Sequence, residues 1–146
     1  MNEKITQADI GRSLKVTSMT VSRVMRSLNS EATTTNETDV LKTLIVGELQ
    51  KCGFTLSVCL ELMTEVSQDL QYVLHDASNQ CWVIFVEREG QRSYRLTALN
   101  PAQLVAIVDG LGMVLVLPLH RIVEDARIAL SRIEPTGTRP RKGAAA

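Results

Sequence analysis

Thr17, Ser18, Met19, Thr20, Ser22, Arg23 and Arg26 put four hydroxyls, a thioether and two guanidinium groups within ten residues. The set contains no general base. Short polar side chains interleaved with arginine suit phosphate oxygens and the base edges of a DNA groove. Elsewhere the chemistry is sparse. His75 and His120 are the only histidines, and neither has Cys, Asp or His at metal-ligand spacing. His75 and Asp76 are adjacent, which does not make an oriented acid–base pair. No Gly-x-Ser-x-Gly, glycine-rich phosphate loop or His-Glu-x-x-His is present. The expectation is a protein with no catalytic residues, no metal and no cofactor. Cys52, Cys59 and Cys81 are odd in number and lack a Cys-x-x-Cys, which points to reduced thiols and a cytoplasmic protein.

The elements that would position these groups are readable. Thr6, followed three residues later by Asp9, forms a capping-box start for a helix to about Leu14. Thr17 caps a second helix, with Val16 and Val21 at hydrophobic-staple spacing. In that helix Val21, Val24, Met25 and Leu28 share one face. Met19, Ser22, Arg23 and Arg26 share another, about 160° away at roughly 100° per residue. An apolar stripe to hold the helix and an opposite face of hydroxyls and arginines are what a recognition helix needs. Gly11 falls where the two helices would cross and permits close approach. The charge follows the same division. Residues 1–30 carry five basic and two acidic groups, whereas the whole chain of 146 residues sums to zero. A neutral protein with one basic end can present a single face to phosphate.

The run from Asp9 to Met25, above all Val16-Thr17 and Thr20-Val21-Ser22-Arg23-Val24, resembles the helix-turn-helix of lactose-repressor-type regulators. The resemblance implies that Ser18, Met19, Thr20, Ser22 and Arg23 meet double-stranded DNA. Lys15 stands where that family usually has Gly, at a turn position that calls for positive φ. The large sugar-binding portion of that family has no room in this length. A second block, Asp39 to Leu56, is similar to the second helical pair of mercury-resistance-type regulators, in which an aspartate-led helix ends in Gly-Phe-Ser/Thr-Leu. The Thr-, Ser- and Asn-rich stretch 29–38 shows no sign of that family's wing.

In that block, Asn36 would cap a helix from Glu37 to about Cys52, stopped by Gly53, and Thr55 would open another through Val66. Beyond Gln71 the period changes. Gln80 to Glu87 and Ser93 to Leu96 read as a hairpin turning at 88–91, with a possible third strand at Tyr72 to Leu74. Asn100-Pro101 starts a helix. Met113 to Leu117 fits either a strand or an apolar helix, and Pro118 opens a last helix to about Ile133. Its residues Leu119, Ile122, Ala126, Ala129 and Ile133, spaced 3-4-3-4, form either a stripe covering the hairpin or a homodimer seam, with Leu56 to Met63 as the competing seam.

The expected fold is mainly α with a small β hairpin (α+β). Its expected parts are a helix-turn-helix module at 1–35, a helical pair at 36–70, a small α+β dimerisation or regulatory region at 71–134 and a tail at 135–146. No apolar run approaches the roughly 20 residues needed to span a bilayer. The expected function is sequence-specific transcription regulation as a homodimer of bacterial or phage type. The alternatives are a phage or plasmid accessory protein that grips a protein partner, and a regulator that senses a small molecule.

Overall fold

A computed structural model describes residues 5–28, 37–88 and 91–135, with the backbone alone at 87–88 and 91–94. Among these residues the chain is mainly helical with a small three-stranded antiparallel sheet, an α+β fold. The order is α1 (Gln7–Leu14), α2 (Ser18–Leu28), α3 (Glu37–Lys51), α4 (Leu56–Glu65), α5 (Ser67–His75), β1 (Trp82–Arg88), β2 (Gln91–Ala98), α6 (Pro101–Asp109), β3 (Val114–Pro118) and α7 (Leu119–Arg132). The expected Asn36 cap, the 29–36 stretch, the hairpin tip at 89–90 and the tail from 136 lie outside the described residues.

The chain divides into two compact units. One is built from residues up to Glu61 together with those from Asp125 onward, the other from Leu62–Glu124. In the first unit α3 carries much of the core: Val40, Leu41, Leu44, Ile45, Val46 and Leu49 are each 6% exposed or less. Its charged and polar residues Glu37, Lys42, Glu48, Gln50 and Lys51 remain exposed or half-buried. α1 and α2 pack on it. Gly53 adopts φ +103° just beyond α3, the left-handed stop expected there. The Val58 amide donates to Thr55 Oγ1 at 3.3 Å, so Thr55 caps α4.

In the second unit the sheet order is β2-β1-β3, with β1 antiparallel to both neighbours. Val83, Ile84 and Phe85 are each 2% exposed or less, so β1 is covered on both faces. Asp69 of α5 reaches β2, pairing with Arg95 at 3.2 Å and accepting from Thr97 Oγ1 at 3.3 Å. Tyr72 to Leu74 belong to α5, not to a third strand. The third strand is β3, which resolves the ambiguity at 113–117. Leu70 and Val73, three apart, bury one face of α5, the period of a helix rather than a strand. The Asn100 side chain caps α6 by accepting from the Gln103 amide at 2.8 Å, with Pro101 in the first turn.

The α7 stripe is spent within the chain. Leu119, Ile122 and Ala126 are 1%, 7% and 0% exposed, while Ala129 and Ile133 are half-buried. A stripe already this covered has little area left to give to a second copy. The competing seam is covered likewise, with Cys59 and Leu62 at 0% and Met63 at 5%.

Candidate nucleic-acid interface

The site begins with two caps and a turn. The Asp9 amide donates to Thr6 Oγ1 at 3.2 Å and the Thr6 amide to Asp9 Oδ2 at 2.8 Å, closing the expected capping box. Asp9 is buried, and its Oδ1 also accepts from Arg12, which fixes that guanidinium along α1. The end of α1 is set by backbone alone. The Val16 amide donates to the Gly11 carbonyl at 2.8 Å and the Lys15 amide to the Arg12 carbonyl at 3.3 Å, the paired bonds of a Schellman stop. Lys15 therefore takes φ 59°, ψ 40°, as the lactose-repressor-type resemblance implied for this position. Gly11 is equally forced: a Cβ there would sit 2.7 Å from the Val16 carbonyl oxygen.

That turn delivers the chain into α2. The Thr20 amide donates to Thr17 Oγ1 at 3.2 Å, and the two threonine hydroxyls lie 3.0 Å apart. Thr17 thus serves as the cap, and its hydroxyl is engaged in that role. Val21 and Val24 are 1% and 5% exposed, whereas Met25 and Leu28 are half-buried. Gln7 Nε2 donates to Met25 Sδ at 3.7 Å, tying α1 to the same helix. Val16 is 39% exposed, so the staple partner of Val21 is only partly engaged.

The opposite face of α2 is open. Met19 is 66% exposed, Ser18, Arg23 and Arg26 are exposed, and Thr20 and Ser22 are half-buried. Among the described residues neither Arg23 nor Arg26 has an ion-pair partner. The first turn of α2 holds no acidic residue, so no carboxylate of its own offsets the helix dipole there. From 5 to 28 the chain has four basic residues against Asp9 alone. The structure brings all seven expected DNA-facing residues onto one helix and its cap, each exposed or half-buried, with the Thr17 hydroxyl engaged in the cap.

Two further basic groups near the turn are exposed that the periodicity of α2 did not single out. Lys15 is exposed in the turn, and Arg12 keeps 58% of its side chain exposed while bound to Asp9. Their signal was the basic flank on either side of the turn, which helical spacing within α2 ignores.

The remaining polar chemistry lies elsewhere. His120 accepts from the Cys81 amide at 3.1 Å and stacks edge-on to Trp82, centroids 4.6 Å apart, locking the start of α7 to the start of β1. His75 ends α5 on the surface. Among the described residues no group of three or more His, Cys, Asp or Glu is placed to hold a metal ion. No described helix is long and apolar enough to cross a membrane. Comparison with family models finds none that matches the chain, and comparison with curated proteins finds no match.

Proposed function

We propose that this chain is a sequence-specific DNA-binding regulator that inserts α2 into the major groove, acts as a homodimer and works in the cytoplasm without catalysing a reaction. One observation carries the reading. α2 buries Val21 and Val24 while presenting Met19, Ser22, Arg23 and Arg26 on its open side, with neither arginine ion-paired among the described residues. An arginine left unpaired at a surface costs little, yet a whole helical face kept free of acidic residues is poorly explained by packing alone. It matches the need to meet phosphates and to donate two bonds to a guanine edge. Ser18 and Thr20, at the helix start, are placed for phosphate contacts, with the N-terminal dipole adding to them. Met19 offers apolar contact to a thymine methyl.

The test is protection of genomic fragments by the purified protein, followed by titration of the selected site at two salt concentrations. A defined, two-fold symmetric site whose affinity falls steeply with salt supports the proposal. Protection without sequence preference, or none at all, overturns it.

A further inference from the structure

We infer that β3 and α6 form a self-complementary dimer surface, on which β3 pairs antiparallel with β3 of a second copy around Val116. The choice of a second copy as occupant rests on the DNA-binding reading, in which a single helix-turn-helix reads too few base pairs. The surface itself rests on other observations.

The first is the free edge. β3 has β1 as its only strand neighbour among the described residues. The Leu119 amide donates to the Cys81 carbonyl at 2.9 Å, and the register pairs Leu117 with Val83 and Leu115 with Phe85. Antiparallel alternation therefore turns the backbone groups of Leu115 and Leu117 toward β1, and those of Val114, Val116 and Pro118 outward. An exposed apolar edge of this kind is ordinarily blunted by charge or covered. Here the strand is Val-Leu-Val-Leu-Pro, with no charge in it.

The second is α6. No residue of this helix is fully buried, although Leu104, Val105, Ala106, Ile107 and Val108 follow one another. Val105 is 65% exposed and, in the loop leading to β3, Met113 is 90% exposed. Leu104, Val105, Val108 and Leu111 line an open, mainly apolar groove of about 560 Å³ that reaches Val116 on β3. The unpaired edge and the uncovered helix are thus adjacent parts of one surface.

The third is its charge. Asp109 is the only charged residue from Leu99 to Pro118. A two-fold interface sets each patch against itself, so a nearly uncharged patch avoids the like-charge contacts a charged one would create. Nor does it offer a charged partner anything to pair with. Leu104, Val105, Val108, Leu111, Met113 and Val116 supply its apolar area.

Geometry then fixes the register. A strand that pairs with its own copy across a two-fold axis is antiparallel, and centring on Val116 gives the longest overlap of outward-facing groups. Val116 exchanges both of its bonds with the partner's Val116, and the Val114 amide donates to the carbonyl of the partner's Pro118. Pro118, which has no N–H to give, falls at the end of the ladder, where water can satisfy the one carbonyl left over. The two sheets become one of six strands, with both α6 helices on the same face.

The experiment is sedimentation of the full chain at tens of micromolar with three variants. The wild type is expected to be a dimer. Val116→Pro removes an N–H that points away from β1, so monomers with an unchanged circular dichroism spectrum are expected. Val105→Glu should weaken the dimer by about tenfold or more through burial of a charge. Val116→Cys in a Cys52→Ser background should form an intermolecular disulfide under copper–phenanthroline oxidation, since directly paired Cα atoms at about 5.5 Å lie within disulfide reach. That cross-link decides the matter should Val116→Pro unfold. A monomeric wild type, or a wild-type dimer with no cross-link at Val116, overturns the inference. A dimer that protects no genomic fragment leaves the interface standing and removes the DNA-binding reading, whereas a monomer that binds its site tightly removes the interface alone.

Discussion

Leu14, at the end of α1, rests its side chain on Gly47 in the middle of α3: a Cβ at Gly47 would lie 2.5 Å from Leu14 Cδ2. The contact sets how closely the first helix of the helix-turn-helix approaches the buried helix behind it. Because α2 also packs on α3, the same helix supports both members of the motif. The position of the open α2 face is therefore inherited from a glycine outside the motif.

Gly47→Val should destabilise the protein by about 1 to 3 kcal/mol, since two extra methyl groups and a Cβ have no space beside Leu14. Gly47→Val combined with Leu14→Ala should recover part of that loss. A coupling of at least about 0.5 kcal/mol in denaturant unfolding is expected. Additive effects would show that the two side chains do not share the space.

This dependence was not legible in the sequence, and the reason is physical. Capping boxes, staple spacing and the 3.6-residue period are local, so α1, α2, the Thr55 cap, the β1–β2 hairpin and the Asn100 start could all be read from a few neighbouring residues. Whether Gly47 is a weak point in a helix or the seat of Leu14 depends on a partner 33 positions away. The same holds for β3. Met113 to Leu117 is apolar enough for helix or strand, and only the register with Val83 and Phe85 decides. The α7 stripe was recognised as buried, but spacing alone cannot say whether its cover comes from the same chain or another. At the site, the faces of α2 were legible because exposure follows helical period. The exposure of Arg12 and Lys15 beside the turn was not, because it depends on the path of the turn.

Lys15 occupies the left-handed region at a position where glycine carries no Cβ penalty. Lys15→Gly should therefore raise unfolding free energy by about 1 kcal/mol, measured by chemical denaturation. Gly11→Ala should lower it by about 1 to 3 kcal/mol, because the clash there is with backbone and no rotamer change relieves it. A stabilising Gly11→Ala would mean that the turn is not packed as tightly as the geometry requires.

The three thiols should separate by reactivity. Cys52 is exposed, while Cys59 and Cys81 are both 0% exposed. Burial pushes the Cys59 thiol above its ordinary value and is the main cause that pushes Cys81 up to about 11, with Asp69 adding to the latter and Arg95 opposing it. A thiol reagent at pH 8 should modify one cysteine per native chain and three after unfolding. Both raised groups favour the neutral thiol in the fold, so their contribution is intact below the ordinary thiol value near 9 and declines as pH rises from there toward 11. Stability measured across that window should fall, and the fall should shrink in Cys81→Ala relative to its own value at pH 7. Fast labelling of two sites in the native protein would contradict the burial.

Arg23 supplies the sharpest test of the DNA-binding proposal, because it is exposed, without an ion-pair partner among the described residues, and central on the open face of α2. Truncation there leaves no cavity and breaks no ion pair with a described residue, so Arg23→Ala should melt within about 0.5 kcal/mol of wild type. Its affinity for the protected site should fall by about 1 to 3 kcal/mol. The salt dependence assigns the role. If Arg23 neutralises a phosphate, the slope of log affinity against log salt drops by about one and all sequences lose binding alike; if it reads a guanine edge, discrimination at one base pair is lost instead. Val21→Asp is the opposite case. Val21 is 1% exposed, and an unpaired carboxylate there costs several kcal/mol, so binding should disappear together with the fold of α1 and α2. A folded Val21→Asp with full affinity would reverse the two faces of the helix, and a folded Arg23→Ala with full affinity would show that α2 does not touch DNA through this face.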